Sequence, residues 1–190
     1  MDQAAGECVR YQIDTRSSQF TVQAFAGGLL SGVAHSPKIA IRDWTGEATF
    51  VPGSLRDASL KIRIKLASLE VLDEMRDSDR REIHRVMLQE VLDIQRYPEA
   101  SFDSFEITAQ KQNETLFRVT IAGKLSLHGV TANHTFNAQV AFGVDSLRAY
   151  GEFQLVQPQY DIPVASIAGG TMRLRDELKL SFYVVARNAS

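Results

Sequence analysis

The chain has one cysteine, Cys8, so no disulfide can close within it, and a thiol this near the terminus carries no catalytic suggestion. It has no apolar run long enough to cross a bilayer, and "MDQAAGECVRYQID" offers neither the basic start nor the apolar stretch of a secretory leader. For a chain beginning at Met1 the expectation is a cytoplasmic protein that does not span a membrane. Charge of one sign is missing too. Lys plus Arg at 21 against Asp plus Glu at 23 leaves −2, with no long run of either, which argues against nucleic acid as a partner. "AGGLLSG", Ala26 to Gly32, lacks the Lys-Ser or Lys-Thr end of a phosphate loop, and "GLLSG" around Ser31 is not the Gly-x-Ser-x-Gly nucleophile elbow. No cofactor and no catalytic nucleophile is called for.

Alternation is what the chain has instead. In "SLKIRIKL", Leu60, Ile62, Ile64 and Leu66 point one way while Lys61, Arg63 and Lys65 point the other, the period of two that marks a strand with one dry face. "LFRVTIAGKLSL" repeats it with Phe117, Val119 and Ile121, and "TFNAQVAF" with Phe136, Ala138, Val140 and Phe142. Further strands are expected at 18–25, 38–50, 101–110, 148–156 and 177–187, with turns at Gln112-Asn113-Glu114 and around Gly143. One segment has helical spacing: Ile83, Val86, Met87, Val91 and Leu92 fall near i, i+3, i+4 and i+8, "DSDRRE" supplies the capping end, and Tyr97-Pro98 closes it. His84, among arginines on that helix, reads as solvated.

These elements predict one domain over residues 1–190, ordered from about 9 to 187: a mostly β, antiparallel eight-stranded barrel covered by one amphipathic helix. Closure removes strand edges, and a barrel of about eight strands is wide enough for side chains or for one small ligand. The inward rows would be Phe20 and Val22, Ile62 and Ile64, Val119 and Ile121, Phe136 and Val140, Phe153, and Phe182 with Val184. All of these but Val184 are the expected ligand wall, with His35, Met87 and His128 as mouth or lid residues.

"SLHGVTANHTF", Ser126 to Phe136, holds two of the four histidines. On an unbroken strand His128 and His134 would share a face roughly 20 Å apart, too far to grip one ion. The reading is a bent strand with Gly129 as its corner and both histidines near the rim, and no metal site is expected.

Two stretches carry a family resemblance. "RDSDRREIHRVMLQEVLDIQRYPEASF", Arg76 to Phe102, resembles the Arg-Asp, helix, Leu-Asp, Tyr-Pro and Phe pattern of YceI-like proteins, and "GKLSLHGVT", Gly123 to Thr131, resembles their Gly-x-Leu-x-Leu-x-Gly-Val-Thr motif. "YQID" at Tyr11 and "DELKLSFYVVA" near the end fit the same domain. The resemblance implies a lipocalin-like barrel that holds a long apolar ligand: a polyisoprenoid, an isoprenoid quinone or an amphiphilic lipid. It implies no reaction. "AFAGGLLSGVAHSP" departs from the family pattern.

Three other readings stay open at the level of sequence. The same side chains can simply fill the barrel; the protein can be an interaction module that pairs as a homodimer through a strand edge or the helix; or it can be an isomerase or other lipid-modifying enzyme using His35 or His128. The last needs a histidine with a carboxylate partner inside the cavity.

Overall fold

The computed structural model describes residues 7–27, 36–52, 54–144, 146–164, 166–167 and 172–189. The early strands come in halves. β1 (Val9–Ile13) and β2 (Gln19–Ala26) form one long strand broken at Asp14, whose carboxylate accepts the Arg16 backbone N–H at 3.2 Å and the Ser17 hydroxyl at 2.9 Å. β3 (Lys38–Ile41) and β4 (Trp44–Val51) are broken at Arg42-Asp43, and β5 (Arg56–Lys65) and β6 (Leu69–Val71) at a 3₁₀ turn, Leu66–Ser68. Unbroken strands follow: β7 (Glu99–Lys111), β8 (Leu116–Leu127), β9 (Val130–Phe142) and β10 (Ser146–Val156). A two-residue β11 (Ser166–Ile167) pairs onto the start of β12 (Met172–Asn188).

Each neighbouring pair is antiparallel, and β12 closes the ring. Its middle pairs with β2, as in Phe182 opposite Phe20, while its end pairs with β1, as in Ala186 opposite Ile13. Counting each broken strand once, the ring is the expected eight-stranded barrel, in meander order. A strand of β7's 13 residues runs roughly 40 Å along its length. No helix among the described residues is long and apolar enough to cross a membrane.

The helix differs from expectation in two ways. It is α-helical only over α1 (Asp77–Arg85); Val86–Val91 is a π turn, with Leu92 N–H donating to Met87 O at 3.0 Å. The cap residue is Arg76, with no side-chain cap bond, so Asp77 and Asp79 act on the helix dipole alone. The π turn has a physical consequence. In an α-helix Leu92 would point about 140° away from Met87, whereas an i→i+5 turn swings it back toward the face of Met87 and Val91.

A second correction concerns "SLHGVTANHTF". It is a tight hairpin joining β8 to β9, with Leu127 opposite Val130 and the two-residue turn His128-Gly129 between them. Both turn residues have positive φ, 51° and 79°, the backbone of a type I′ turn that matches strand twist. A bent strand would have kept the chain running in one direction; here it reverses.

Candidate functional site

Inside the ring lies a cavity of about 300 Å³. Its wall comes from alternate residues of every long strand. β2 contributes Phe20, Val22 and Ala24; β5 contributes Leu60, Ile62 and Ile64; β8 contributes Val119, Ile121, Leu125 and Leu127; β12 contributes Leu178, Leu180, Phe182 and Val184. The alternate residues face water, where Arg63 pairs with Asp103 at 2.8 Å and Lys65 with Asp43 at 2.8 Å. A residue of β-period two thus separates a dry tube from a charged exterior without any other device.

All ten residues expected on the ligand wall, Phe20, Val22, Ile62, Ile64, Val119, Ile121, Phe136, Val140, Phe153 and Phe182, border this cavity. Aromatic rings form a connected band around it. Phe136 stacks on Phe153 with centroids 4.9 Å apart and 25° between planes, Phe182 stands edge-on to Phe136 at 5.9 Å, and Phe20 reaches both Phe182 at 6.4 Å and Trp44 at 5.8 Å. Trp44, the single tryptophan, is 4% exposed and lines the cavity, although its strand was read without assigning it a role.

The mouth residues separate. Met87 borders the cavity together with Val91 and Leu92, so the π turn forms a cover over one end. His128 does not border it. One ring nitrogen, Nδ1, lies 3.2 Å from the Tyr160 carbonyl and its ring packs on Tyr97 at 4.6 Å, so the side chain ties the hairpin turn to the 3₁₀ turn Gln157–Tyr160. The histidine-in-the-cavity arrangement expected of His128 is therefore not what its placement gives. His35 lies outside the described residues. His84 is half-buried where its arginine neighbours suggest a solvated side chain: its Nε2 sits 3.1 Å from the Leu69 carbonyl and joins α1 to β6.

His134 is the residue that sequence reasoning misplaced. It is not at the rim but on the cavity wall, edge-on to Phe153 at 5.1 Å and 61°. The signal was present, since His134 is in phase with Phe136, Ala138 and Val140 on β9; taking Gly129 as a corner instead of a turn broke that phase. Opposite it on β8 stands Gly123, where a Cβ would come within 2.4 Å of Phe102 Cζ and 2.6 Å of Asp103 O. The bare position lets the Phe102 ring lie across β8 beside the histidine.

Few polar groups share the wall. Thr49 and Ser59 hydroxyls bond each other at 2.7 Å, and the buried Gln157 amide donates to Arg175 O at 3.1 Å. His134 is different: its Nε2 is buried with no hydrogen-bond partner among the described residues. Burial pushes its pKa below the ordinary histidine value, which keeps the ring neutral. No Asp, Glu, Lys or Arg borders the cavity among the described residues, and no three His, Cys, Asp or Glu among them gather about one point.

A closed antiparallel meander around an apolar tube, with one helix over an end, is the architecture of the lipocalin-like barrels. The sequence narrows this further: the YceI-like domain model matches residues 11–186, and the chain belongs to that family. Among solved structures, BcnA of Burkholderia cenocepacia superposes with a TM-score of 0.72 at 18% identity, covering 91% of this chain and 98% of that one. A polyisoprenoid-binding domain from Saccharophagus degradans, implicated in plant cell wall breakdown, gives 0.67 at 11% identity over 95% and 99%. The YceI protein of Campylobacter jejuni gives 0.59 at 17% identity over 80% and 84%. At these identities the likeness is one of fold. A comparison with the curated proteins returns no match.

Proposed function

We propose that the protein holds a long, uncharged apolar ligand inside its barrel, a polyisoprenoid, an isoprenoid quinone or an amphiphilic lipid, and carries or sequesters it without transforming it. The observation that supports this most directly is the wall itself: apolar side chains from every long strand, with no fixed charge among the described residues that border the cavity. Such a wall favours a hydrocarbon chain and penalises any ion that enters it. Membership of the YceI-like family and the polyisoprenoid-binding relative with the same fold point the same way.

The ten wall residues named above are the proposed ligand contacts, with Met87 as part of the cover. A chain that loses about 400 Å² of apolar surface gains roughly 10 kcal/mol before ordering costs, enough to leave micromolar binding or better. Acid–base catalysis needs a second group beside the histidine, and no carboxylate stands on the described wall to orient His134. That favours holding over chemistry.

The test is native mass spectrometry of the purified protein, with organic extraction of whatever it carries, and a titration with geranylgeraniol followed by Trp44 fluorescence. A stoichiometric prenyl or lipid ligand, or saturable quenching of Trp44, is expected. A barrel that arrives empty and refuses prenyl compounds in excess sinks the proposal and leaves a filled structural barrel.

A further inference from the structure

A tube lined only with hydrocarbon would hold its ligand by size alone, and this tube is not quite that. Its one titratable wall residue among those described, His134, points a buried ring nitrogen at nothing. Buried polar atoms are nearly always paired, because leaving one unpaired in an apolar site is costly. The pairing is not supplied by the neighbours. Phe153 stands edge-on at 5.1 Å, Phe136 lies at 6.5 Å, and the facing β8 position is Gly123.

The surrounding strands reinforce the point. The ladder between β9 and β10 runs only from Phe142 opposite Leu147 to Gln139 opposite Tyr150, whereas β8 and β9 pair along their whole length. Toward the helix-covered end, therefore, the β9–β10 seam is filled by the rings of His134, Phe136 and Phe153. His134 is held there by rings, with its hydrogen-bonding edge unspent. It lies four residues along β9 from the hairpin turn, on the cavity wall.

We propose that His134 is an interior recognition group: the ligand lodges an uncharged hydrogen-bonding group, a hydroxyl or a carbonyl, against Nε2 within the tube. The neutral imidazole can accept from a hydroxyl or, in its other tautomer, donate to a carbonyl. A charged head group finds no counter-ion there, so phosphate, carboxylate and ammonium are excluded from this position. The ligand is thereby narrowed from any apolar chain to one with a neutral polar group buried alongside its hydrocarbon. This rests on the reading of the cavity as a ligand site.

The probes are geranylgeraniol and the hydrocarbon of the same skeleton without its hydroxyl, titrated against the wild type, His134→Val and His134→Gln with Trp44 fluorescence as the readout. The wild type is expected to prefer the alcohol by about tenfold, the worth of one buried neutral hydrogen bond. His134→Val should bring the preference to within about twofold, and His134→Gln, which keeps a donor and an acceptor, should restore most of it. The imidazole ¹⁵N resonance of His134 in the wild type should shift with the alcohol and not with the hydrocarbon, a measurement that needs no variant to fold. Equal binding of both probes by the wild type, an alcohol preference that survives His134→Val, or an unmoved ¹⁵N resonance overturns the assignment while the cavity reading stands. Binding of neither probe overturns both.

Discussion

The barrel's two ends are built on different principles. At the end with the short turns, Phe50 stacks on Tyr11 at 5.0 Å and meets Phe142 edge-on at 5.4 Å, and Phe142 meets Phe117 at 5.5 Å. Phe50, Phe117 and Leu55 are 2%, 3% and 6% exposed, so this floor is simply the hydrophobic core continued. At the other end α1 buries no residue of its own, and Leu88 is the one fully buried residue of the π turn. The helix hangs from side-chain bonds to backbone: Arg80 donates to Val71 O at 2.7 Å and Asp73 O at 2.9 Å, and His84 reaches Leu69 O. The floor is continuous packing, whereas the roof adds to these bonds Leu88 in the core with Met87, Leu92 and Ile94 against it; under the proposed function the roof, with fewer buried apolar contacts, is the end through which a ligand would enter.

The largest effect that tests this contrast is on the floor. Phe50→Ala empties a fully buried ring site and should cost about 3–5 kcal/mol in chemical denaturation. A loss below 1 kcal/mol would show the floor to be as loose as the roof. Next comes the hairpin beside the roof. Gly129 has φ +79° and a Cβ there would stand 2.6 Å from the Tyr97 ring, so Gly129→Ala should cost about 2 kcal/mol and loosen the His128 contact to Tyr160. Amide exchange should rise at the β8–β9 turn and the Gln157–Tyr160 turn while the floor stays protected. Arg80→Ala sharpens the comparison from the other side. Partly exposed, its two bonds are worth about 1 kcal/mol to global stability, yet release of bound geranylgeraniol should accelerate several-fold. Unchanged release would remove the roof as the route.

Much of this architecture was legible as period-two alternation. β8 falls on residues 116–127 as the pattern drew it, and the ten expected wall residues share one cavity because phase along a strand decides which face a side chain takes. What failed is instructive. The turn that reverses β8 into β9 is His-Gly, where the usual I′ signal is Asn-Gly or Asp-Gly, so it read as a corner, and His134 lost its phase with Phe136. The breaks at Asp14 and Leu66 and the short β6 and β11 carry no periodicity long enough to notice. Whether the rows fill the tube or leave 300 Å³ open depends on how far side chains reach across it, which no linear pattern encodes.

The smallest effect concerns proton linkage at His134, on the wall that joins the two ends. Burial lowers its folded-state pKa, while in the unfolded chain it keeps the ordinary value near 6.5. Above that pH both states are neutral and the residue contributes nothing to the pH dependence. As pH falls below it, the unfolded chain takes up a proton that the folded protein resists, so stability declines until the lowered folded pKa is reached. Carboxylates across the surface titrate as well, Asp14 among them with its pKa held down chiefly by the Ser17 hydroxyl, and their contribution is removed by comparison with a variant that retains them all. Denaturation of the wild type and His134→Val from pH 8 to pH 5 should therefore show the wild type losing ground to the variant only on the acid side. A bound ligand whose hydroxyl donates to Nε2 occupies the lone pair that a proton would take and raises the cost of protonating that ring, so saturating geranylgeraniol should steepen the wild-type decline and leave the variant's slope alone. Parallel curves with and without the alcohol would mean that the buried nitrogen, although unpartnered, takes no part in holding the ligand.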